Sequence, residues 1–453
     1  MTTKSHSLKV GVSGVRGVVG ESLTPQLAAR FASAFGTYIG RGKVVVAQDA
    51  RPSGPMIKNA VTAGLLATGC QPVDIGIAPI PSVLVFTKES QSAGGVAVTA
   101  SHNPPEWNGL KFISSRGLYL NPSQVEEFLD IYHQGEFSFV PADKHKKMTA
   151  EPDPLAPHLT RLLKALDVAM IRERKPKVVA DCCNGAGAVL MPAFLEALGC
   201  RAFLINAQPD GAFVRGSEPV PENLADICRN VVEKKADVGF AQDADADRLA
   251  LIDERGEPLG EELTLALAVK HVLARTPGPV VVNMSTTRAI DDIAEAAGVP
   301  VYRTRIGEIN VVEEVIQKNA VIGGEGNGGV IWPRVHACRD SFSAAGLILE
   351  MMAASGKTIS ELRDGIPFYV MLKDKVEATS EEAHRIVGEV RRRYAGENIN
   401  TLDGLKIQFA ESSVHLRPSN TEPVIRIMTE AKTREEAARL LASFREEILR
   451  PKS

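Results

Sequence analysis

Aromatic side chains make up only 5% of the 453 residues, too few for the stacking platforms that hold single-stranded nucleic acid. Neither sign of charge is in excess: 52 Lys and Arg stand against 55 Asp and Glu, a formal net charge of −3. No stretch concentrates like charges, which excludes a nucleic-acid or membrane-surface partner held by bulk electrostatics, so a charged ligand must be gripped locally. No window approaches an uninterrupted apolar run of about eighteen residues, the length of a membrane-spanning helix. Met1 to Gly11 lacks the apolar centre of a secretion signal, and a soluble, cytoplasmic protein is expected. The six cysteines, two of them adjacent at Cys182 and Cys183, lack paired metal-type spacings and are expected as reduced, mostly buried thiols.

The length, by contrast, is roughly three times that of a typical domain of about 150 residues, which points to several domains. One layout recurs. An apolar strand at Lys43 to Asp49 is followed by a helix with Ile57, Val61 and Leu65 on one face, a stop at Gly69 and a second strand at Pro72 to Ile75. The same order returns with strand Lys177 to Ala180, helix residues Leu190, Phe194 and Leu198, and strand Arg201 to Ile205. It returns again with strand Pro279 to Val282, helix residues Ile290, Ile293 and Ala297, and strand Pro300 to Tyr302. Such alternation predicts largely parallel sheets covered by helices. From about Val370 the pattern changes to a smaller α+β domain, whose last helix opens with a capping box at Thr433 and Glu436.

Each α/β unit also contains a strand that runs into a polar loop: Thr99-Ala-Ser-His-Asn-Pro104, Gln242-Asp-Ala-Asp-Ala-Asp-Arg248, and Gly323-Gly-Glu-Gly-Asn-Gly-Gly329. Parallel sheets present ligands at the carboxyl ends of their strands, so the three loops are expected to converge on one cleft. Asp243, Asp245 and Asp247 crowd three anions together, a costly arrangement without a cation, and hard oxygen ligands suit Mg²⁺ or Ca²⁺. The spacing imitates a calcium EF-hand, but Arg248 takes the place of the required glycine and a strand-like Leu-Ala-Leu-Ile follows. A phosphatase of the Asp-x-Asp-x-Thr/Val type is excluded by Asp247.

Ser101 sits in a stiff loop without Gly-x-Ser-x-Gly, so an elbow-type hydrolase is excluded. Beside a metal, its hydroxyl is suited to carrying a phosphoryl group. Arg417-Pro-Ser-Asn-Thr-Glu-Pro423, with Arg426, supplies guanidinium, hydroxyl, amide and backbone donors that match a phosphate. Gly324 to Gly329 satisfies Gly-x-Gly-x-x-Gly but enters a strand instead of a helix, which removes the dinucleotide reading. Glu325 and Asn327 in that loop are suited to sugar hydroxyls.

Taken jointly, Ser13-Gly-Val-Arg-Gly17, Thr99-Ala-Ser-His-Asn-Pro104, Asp243-Ala-Asp-Ala-Asp-Arg248, Gly324-Glu-Gly-Asn-Gly328 and Arg417-Pro-Ser-Asn-Thr-Glu-Pro423 resemble the α-D-phosphohexomutase family, in family order across nearly the whole chain. The family includes phosphoglucomutases, phosphomannomutases and phosphoglucosamine mutases. The resemblance implies a heart-shaped enzyme of three similar α/β domains with mixed, largely parallel sheets, plus a C-terminal α+β domain. The expected ranges are 1–150, 151–255, 256–368 and 369–453. It implies interconversion of hexose 6-phosphate and hexose 1-phosphate through a hexose 1,6-bisphosphate, which also serves as activator.

Ser101 is implied as the phosphoserine, holding Mg²⁺ with Asp243, Asp245 and Asp247. Arg16, Lys111 and Arg248 match positions lining the catalytic centre, and Glu325 the sugar-reading loop. Arg417, Ser419, Asn420, Thr421 and Arg426 match the grip on the non-reacting phosphate. Asn327 and Gly329 depart from the Gly-Glu-x-Ser-Gly-His of many relatives, which removes a histidine proposed elsewhere as general base and leaves His102 and Lys111 as candidates by position. The Glu-x-Asn-Gly-Gly variant resembles a prokaryotic subgroup linked mainly to phosphoglucosamine mutases and broad-specificity hexomutases. The expected partners are small hexose phosphates, with no nucleic acid or membrane; monomer and homodimer both remain open. A metal-dependent sugar-phosphate phosphatase and a non-catalytic binding protein are the competing classes.

Overall fold

The computed structural model describes residues 8–12, 14–419 and 423–449. Val44, Val45 and Val46 are fully buried in the strand Lys43–Gln48, which pairs in parallel with Gln71–Ile77 on one side and Gly94–Val98 on the other. Gly94–Val98 then pairs antiparallel with Trp107–Ser114. The second unit repeats this arrangement with Leu249–Ile252, Val238–Gln242, Lys177–Asp181 and Arg201–Ile205 as neighbours in that order. The third repeats it with Gly329–Ile331, Ile322–Glu325, Val280–Asn283 and Val301–Thr304. The first sheet is extended by Gly14–Val18 and Lys9–Gly11 at one edge and by Thr149–Ala150 at the other, giving seven strands.

Each chemistry-bearing loop therefore joins two antiparallel neighbours. A short connection permits nothing else, because a parallel neighbour needs a crossover of about a dozen residues or more. Strand periodicity reveals burial and leaves direction open, and the sheets are mixed for this reason. One consequence corrects the expected start of the third loop. Gly324 and Glu325 lie within strand Ile322–Glu325, and Glu325 pairs with Gly329, so the connection shrinks to a tight turn at 326–328.

The fourth sheet is wholly antiparallel, in the order Val370–Glu377, Val424–Ala431, Ser412–Pro418, Leu405–Gln408, Asn398–Asn400. Val387 and Val390 of helix Ser380–Arg393 and Phe444 of helix Arg434–Leu449 pack on its Ile407, Leu416 and Ile427. At the start of that last helix the Glu436 N–H donates to Thr433 Oγ1 at 3.2 Å as expected, while the Glu436 carboxylate turns to Arg439.

The second and third units share one continuous core running from Leu162 to Ile366. Its centre is helix Ser341–Ser355, apolar on nearly every face and buried accordingly. A polar chain ties in the first unit: Ser82 Oγ lies 2.8 Å from His158 Nδ1, and His158 Nε2 lies 3.1 Å from Asp340 Oδ2. These are the residue types of a hydrolytic triad, but Ser82, His158 and Asp340 are 0, 1 and 2% exposed, so the chain joins layers and meets no substrate. Among the described residues, no helix is long and apolar enough to cross a membrane.

Candidate active site

Ser101 follows the end of strand Gly94–Val98 with a φ of 54°, a left-handed conformation that a non-glycine residue adopts only when its surroundings hold it there. They do so through Arg51, a fully buried guanidinium. Its Nη2 donates to the carbonyls of Ser101 and Asn103 at 2.7 and 2.6 Å, and its Nη1 to those of Pro104 and Trp107 at 2.5 and 3.0 Å. Its Nε meets Asp49 at 3.0 Å, and Asp49 in turn accepts the Thr99 hydroxyl at 2.6 Å. Thr99 Oγ1 then accepts the Ser101 N–H at 3.0 Å. From the second unit, the Ser217 hydroxyl donates to the His102 and Asn103 carbonyls. The carbonyls from Ala100 to Pro104 are thus all engaged, while the Ser101 hydroxyl, itself buried, has no hydrogen-bond partner among the described residues.

The Asp243 loop lies against it. The Asp245 carbonyl accepts the Ile80 N–H at 3.0 Å, and Lys111 Nζ reaches Asp245 at 2.8 Å and the Tyr119 hydroxyl at 3.2 Å. Asp243 Oδ1 accepts the N–H groups of Asp247 and Arg248 at 3.1 and 3.2 Å, closing the loop on itself. All three carboxylates are fully buried, with one oxygen of each within 4.8 Å of the others. Burial, together with Asp247 and Asp245, pushes Asp243 well above the usual carboxylate range, whereas Lys111 holds Asp245 low against the opposing effect of burial. Asp243 Oδ2, Asp245 Oδ1 and Asp247 Oδ1 are each buried without a hydrogen-bond donor among the described residues. Three buried carboxylates clustered in this way, each keeping an oxygen without a hydrogen bond, in a loop that Thr99 Oγ1 of the serine loop approaches to 3.4 Å at Asp245, fit a hard divalent cation, which takes oxygen ligands only.

Cationic groups surround this centre. Arg248 donates to Glu218 at 2.8 Å, and its Nη2 lies 3.1 Å from His102 Nδ1. Burial and the neighbouring Arg248 and Arg16 push His102 down to about 3, so the ring is neutral, accepts at Nδ1 and carries its proton on Nε2. Arg16 Nη1 reaches Asn103 at 3.3 Å, and its Nε is buried without a hydrogen-bond partner among the described residues.

Arg339 links the metal loop to the sugar loop. It meets Asp247 at 2.5 Å, Glu308 at 3.2 Å and Glu325 at 2.9 Å. Glu325 also accepts from Asn283 and from the Gly307 N–H, at 2.8 and 3.0 Å, so both of its oxygens are engaged. The Leu249 N–H donates to the Gly328 carbonyl at 3.1 Å. The three loops therefore do converge, as the recurring layout implies.

Beyond Glu325 opens a cavity of about 570 Å³ between the third and fourth units, lined by Glu262, Ser285, Glu325, Asn327, Arg417 and Arg426 among others. Ser101 and the three aspartates are not among its lining residues; one guanidinium, that of Arg339, bridges from the cavity to their loop. Across the fourth sheet Lys375 stands directly opposite Arg426, and Arg426 opposite Arg417. Directly paired residues share a face, and like charges so placed repel, a repulsion that an anion between them would relieve. Lys373 lines the same cavity. Arg417 Nε is held by Asp403 at 3.1 Å, and the Ser419 N–H donates to the Val424 carbonyl at 2.9 Å. Asn420 and Thr421 lie outside the described residues, as does Ser13.

The structure thus brings Ser101, His102, Lys111, Arg16 and Arg248 together with Asp243, Asp245 and Asp247, and places Glu325, Asn327, Arg417 and Arg426 on the adjoining cavity. Arg51, Arg339, Lys375, Lys373 and His415 are not evident from the loop motifs. His415, beside Arg417, is pushed down to about 4 by burial and spends its ring on Ser285 and the Asp403 carbonyl. For Lys375, Arg426 and Arg417 the signal is cross-strand register, which a linear sequence does not display.

Known proteins share this arrangement. The sequence matches, in order, phosphoglucomutase/phosphomannomutase alpha/beta/alpha domain I over residues 7–139, domain II over 156–256, domain III over 261–369 and the C-terminal domain over 371–447. A phosphoglucomutase/phosphomannomutase of Thermococcus kodakarensis is 39% identical over 440 residues, covering 95% of this chain and 96% of that protein. A protein of Methanopyrus kandleri described as "Probable phosphoglucosamine mutase" is 38% identical, covering 96% of each. The crystal structure of a phosphoglucomutase/phosphomannomutase family protein from Burkholderia thailandensis superposes with a TM-score of 0.85 at 25% identity, covering 97% of this chain and 98% of that one. Four such units, matched in order along the chain, define the phosphohexomutase class of enzymes. The chain belongs to the phosphoglucomutase/phosphomannomutase family.

Proposed function

We propose that this protein interconverts hexose 6-phosphate and hexose 1-phosphate through a phosphoserine at Ser101 and a hexose 1,6-bisphosphate, with glucosamine phosphate as its main substrate. The observation that carries this reading is the buried Ser101 hydroxyl, without a hydrogen-bond partner among the described residues, in a loop whose Thr99 hydroxyl lies 3.4 Å from Asp245 of the buried carboxylate cluster. Asp243, Asp245, Asp247 and Ser101 would hold Mg²⁺, which supplies charge neutralisation during phosphoryl transfer. The chain's own part is positioning. Arg51 fixes the serine loop, and Arg16, Arg248 and Lys111 direct positive charge toward phosphoryl oxygens. Lys111 is set as a donor, and so is His102 through Nε2. Both suit oxygen stabilisation, which dominates phosphoryl transfer more than proton abstraction does.

Glu325 and Asn327 read the sugar, while Arg417, Ser419, Asn420, Thr421, Arg426 and Lys375 hold the phosphate that is not reacting. One site then serves both ends of the sugar: phosphoserine gives its phosphoryl group to one oxygen, the bisphosphate turns over, and the other phosphate returns to Ser101. The working units are residues 1–150, 151–255, 256–368 and 369–453, and the enzyme acts in the cytoplasm on free hexose phosphates. A broad-specificity phosphomannomutase/phosphoglucomutase is the second reading, favoured by the name of the Thermococcus kodakarensis relative. A coupled assay with glucosamine, glucose and mannose phosphates tests the proposal. Release of inorganic phosphate without isomerisation would make the protein a phosphatase, and binding without turnover would make it a carrier.

A further inference from the structure

The cavity is electrically polarised. The fourth sheet lines it with Lys373, Lys375, Arg417 and Arg426, and the third unit contributes two carboxyl groups, Glu325 and Glu262. Glu325 is already neutralised by Arg339 at 2.9 Å. Asp374, the remaining acidic lining residue, pairs with Arg445. Glu262 differs: among the described residues no Lys or Arg forms an ion pair with it. Its Oε2 accepts the Thr287 N–H at 3.0 Å, which leaves Oε1 to the cavity. Burial pushes this carboxyl up to about 8, with Glu430 and Glu261 adding to the shift and Lys373 opposing it.

The sugar loop is built around the same group. A Cβ added at Gly326 would lie 2.1 Å from both Glu262 carboxyl oxygens, and Gly326 does not have a left-handed φ. A side chain at this position would therefore displace the Glu262 carboxyl from where it stands. The residue that separates Glu325 from Asn327 is shaped to let Glu262 stand beside them.

A half-buried carboxyl without an ion-pair partner among the described residues, in a cavity with a cationic wall, fits a ligand that carries both signs. A 2-amino-2-deoxyhexose phosphate is such a molecule: its phosphate suits the lysine and arginine row, and its ammonium suits Glu262. A 2-hydroxyl offers that carboxyl an uncharged hydrogen bond, and a 2-acetamido group brings bulk without charge. We infer that Glu262 is the specificity-determining residue of this cavity, receiving the 2-ammonium group of an aminohexose phosphate. The inference rests on the phosphohexomutase reading above.

The test compares kcat/KM for glucosamine 6-phosphate and glucose 6-phosphate in the wild type, Glu262→Gln and Glu262→Asp. The wild type should favour the amino sugar, and Glu262→Gln should lower that ratio by about tenfold or more, the scale of one charge-assisted contact, whatever loss the two substrates share. Glu262→Asp, which keeps the carboxyl, should retain part of the preference. Should Glu262→Gln fail to fold, calorimetry on the non-transferring Ser101→Ala protein decides the matter: glucosamine 6-phosphate must bind more tightly than glucose 6-phosphate. Equal affinities, or a ratio unchanged in Glu262→Gln, would overturn the role of Glu262 while leaving the mutase intact. No interconversion of any hexose phosphate would remove the mutase reading, and this inference with it.

Discussion

Around Ser101 the buried cations have protein partners: Arg51 takes four carbonyls and Asp49, Arg339 takes three carboxylates, and Lys111 takes Asp245 and Tyr119. The cavity wall differs in register: Lys375, Arg426 and Arg417 stand opposite one another on adjacent strands, with like charges side by side, even as Asp403 holds Arg417 Nε. The first region is organised before substrate arrives, as a centre for charge-developing chemistry must be, because reorganisation during reaction costs rate. The second sets like charges beside one another, and on the proposed function a bound phosphate relieves that repulsion, so its energetic return appears as affinity. Changes on the serine side should therefore act on turnover and stability, and changes on the cavity side on binding.

The largest effect should come from Ser101→Ala, which removes the phosphoryl carrier: turnover should fall on the order of 10³-fold or more, beyond the loss of a single electrostatic stabiliser. Intact mass and peptide mapping of the purified wild type should place one phosphate on Ser101, and phosphate found elsewhere would break the scheme. Next, Asp245→Ala should cost on the order of 10²-fold or more in turnover, with chelator reproducing the loss in the wild type. Full activity in excess chelator would remove the metal from the account.

Arg51→Ala sharpens the comparison, since Arg51 belongs to the organised side but is buried beneath the serine loop. Removing it strands Asp49 and four carbonyls, and breaking a buried pair in this way should lower stability by about 3–5 kcal/mol, read by denaturant unfolding. An unchanged unfolding midpoint would show that the loop holds its shape without it.

Arg417→Ala should cost about 1.5–3 kcal/mol, expressed as a raised KM and leakage of bisphosphate. Turnover should then stall and recover when hexose 1,6-bisphosphate is added. Smallest is Lys375→Met, which should raise KM several-fold while leaving thermal stability unchanged or slightly higher, because a like-charge cross-strand pair costs a few tenths to about 1 kcal/mol. A marked loss of stability would mean that the row is structural, and the contrast between the two regions would fail.

Much of the fold was legible because burial leaves periodic traces. Val44 to Val46, Val178 to Ala180 and Val280 to Val282 read as buried strands and are buried strands. The loops were legible for a different reason: three aspartates in five residues are chemically improbable as a plain turn, and Ser101, ordinary as a lone turn serine, gains meaning beside them. Arg51 and Arg339 leave no such trace, since an isolated arginine in a sequence gives no sign of whether its guanidinium is exposed or buried among distant carbonyls. The direction of the third strand hairpin was hidden too, because Gly324 and Glu325 look like loop residues until pairing with Gly329 and Val330 places them in a sheet.

By itself the sequence determined which groups can carry phosphate, metal and sugar, because those properties belong to side-chain types and their local spacing. Tertiary structure alone decided which groups meet. Arg339 is 92 positions from Asp247 and 14 from Glu325 yet bonds both. Lys375, Arg426 and Arg417 form one row only through antiparallel register. Glu262 reaches the sugar loop because Gly326 has no side chain. Long-range contacts depend on how whole sheets pack, and that packing is fixed by the sum of many weak apolar contacts, which no short stretch of chain contains.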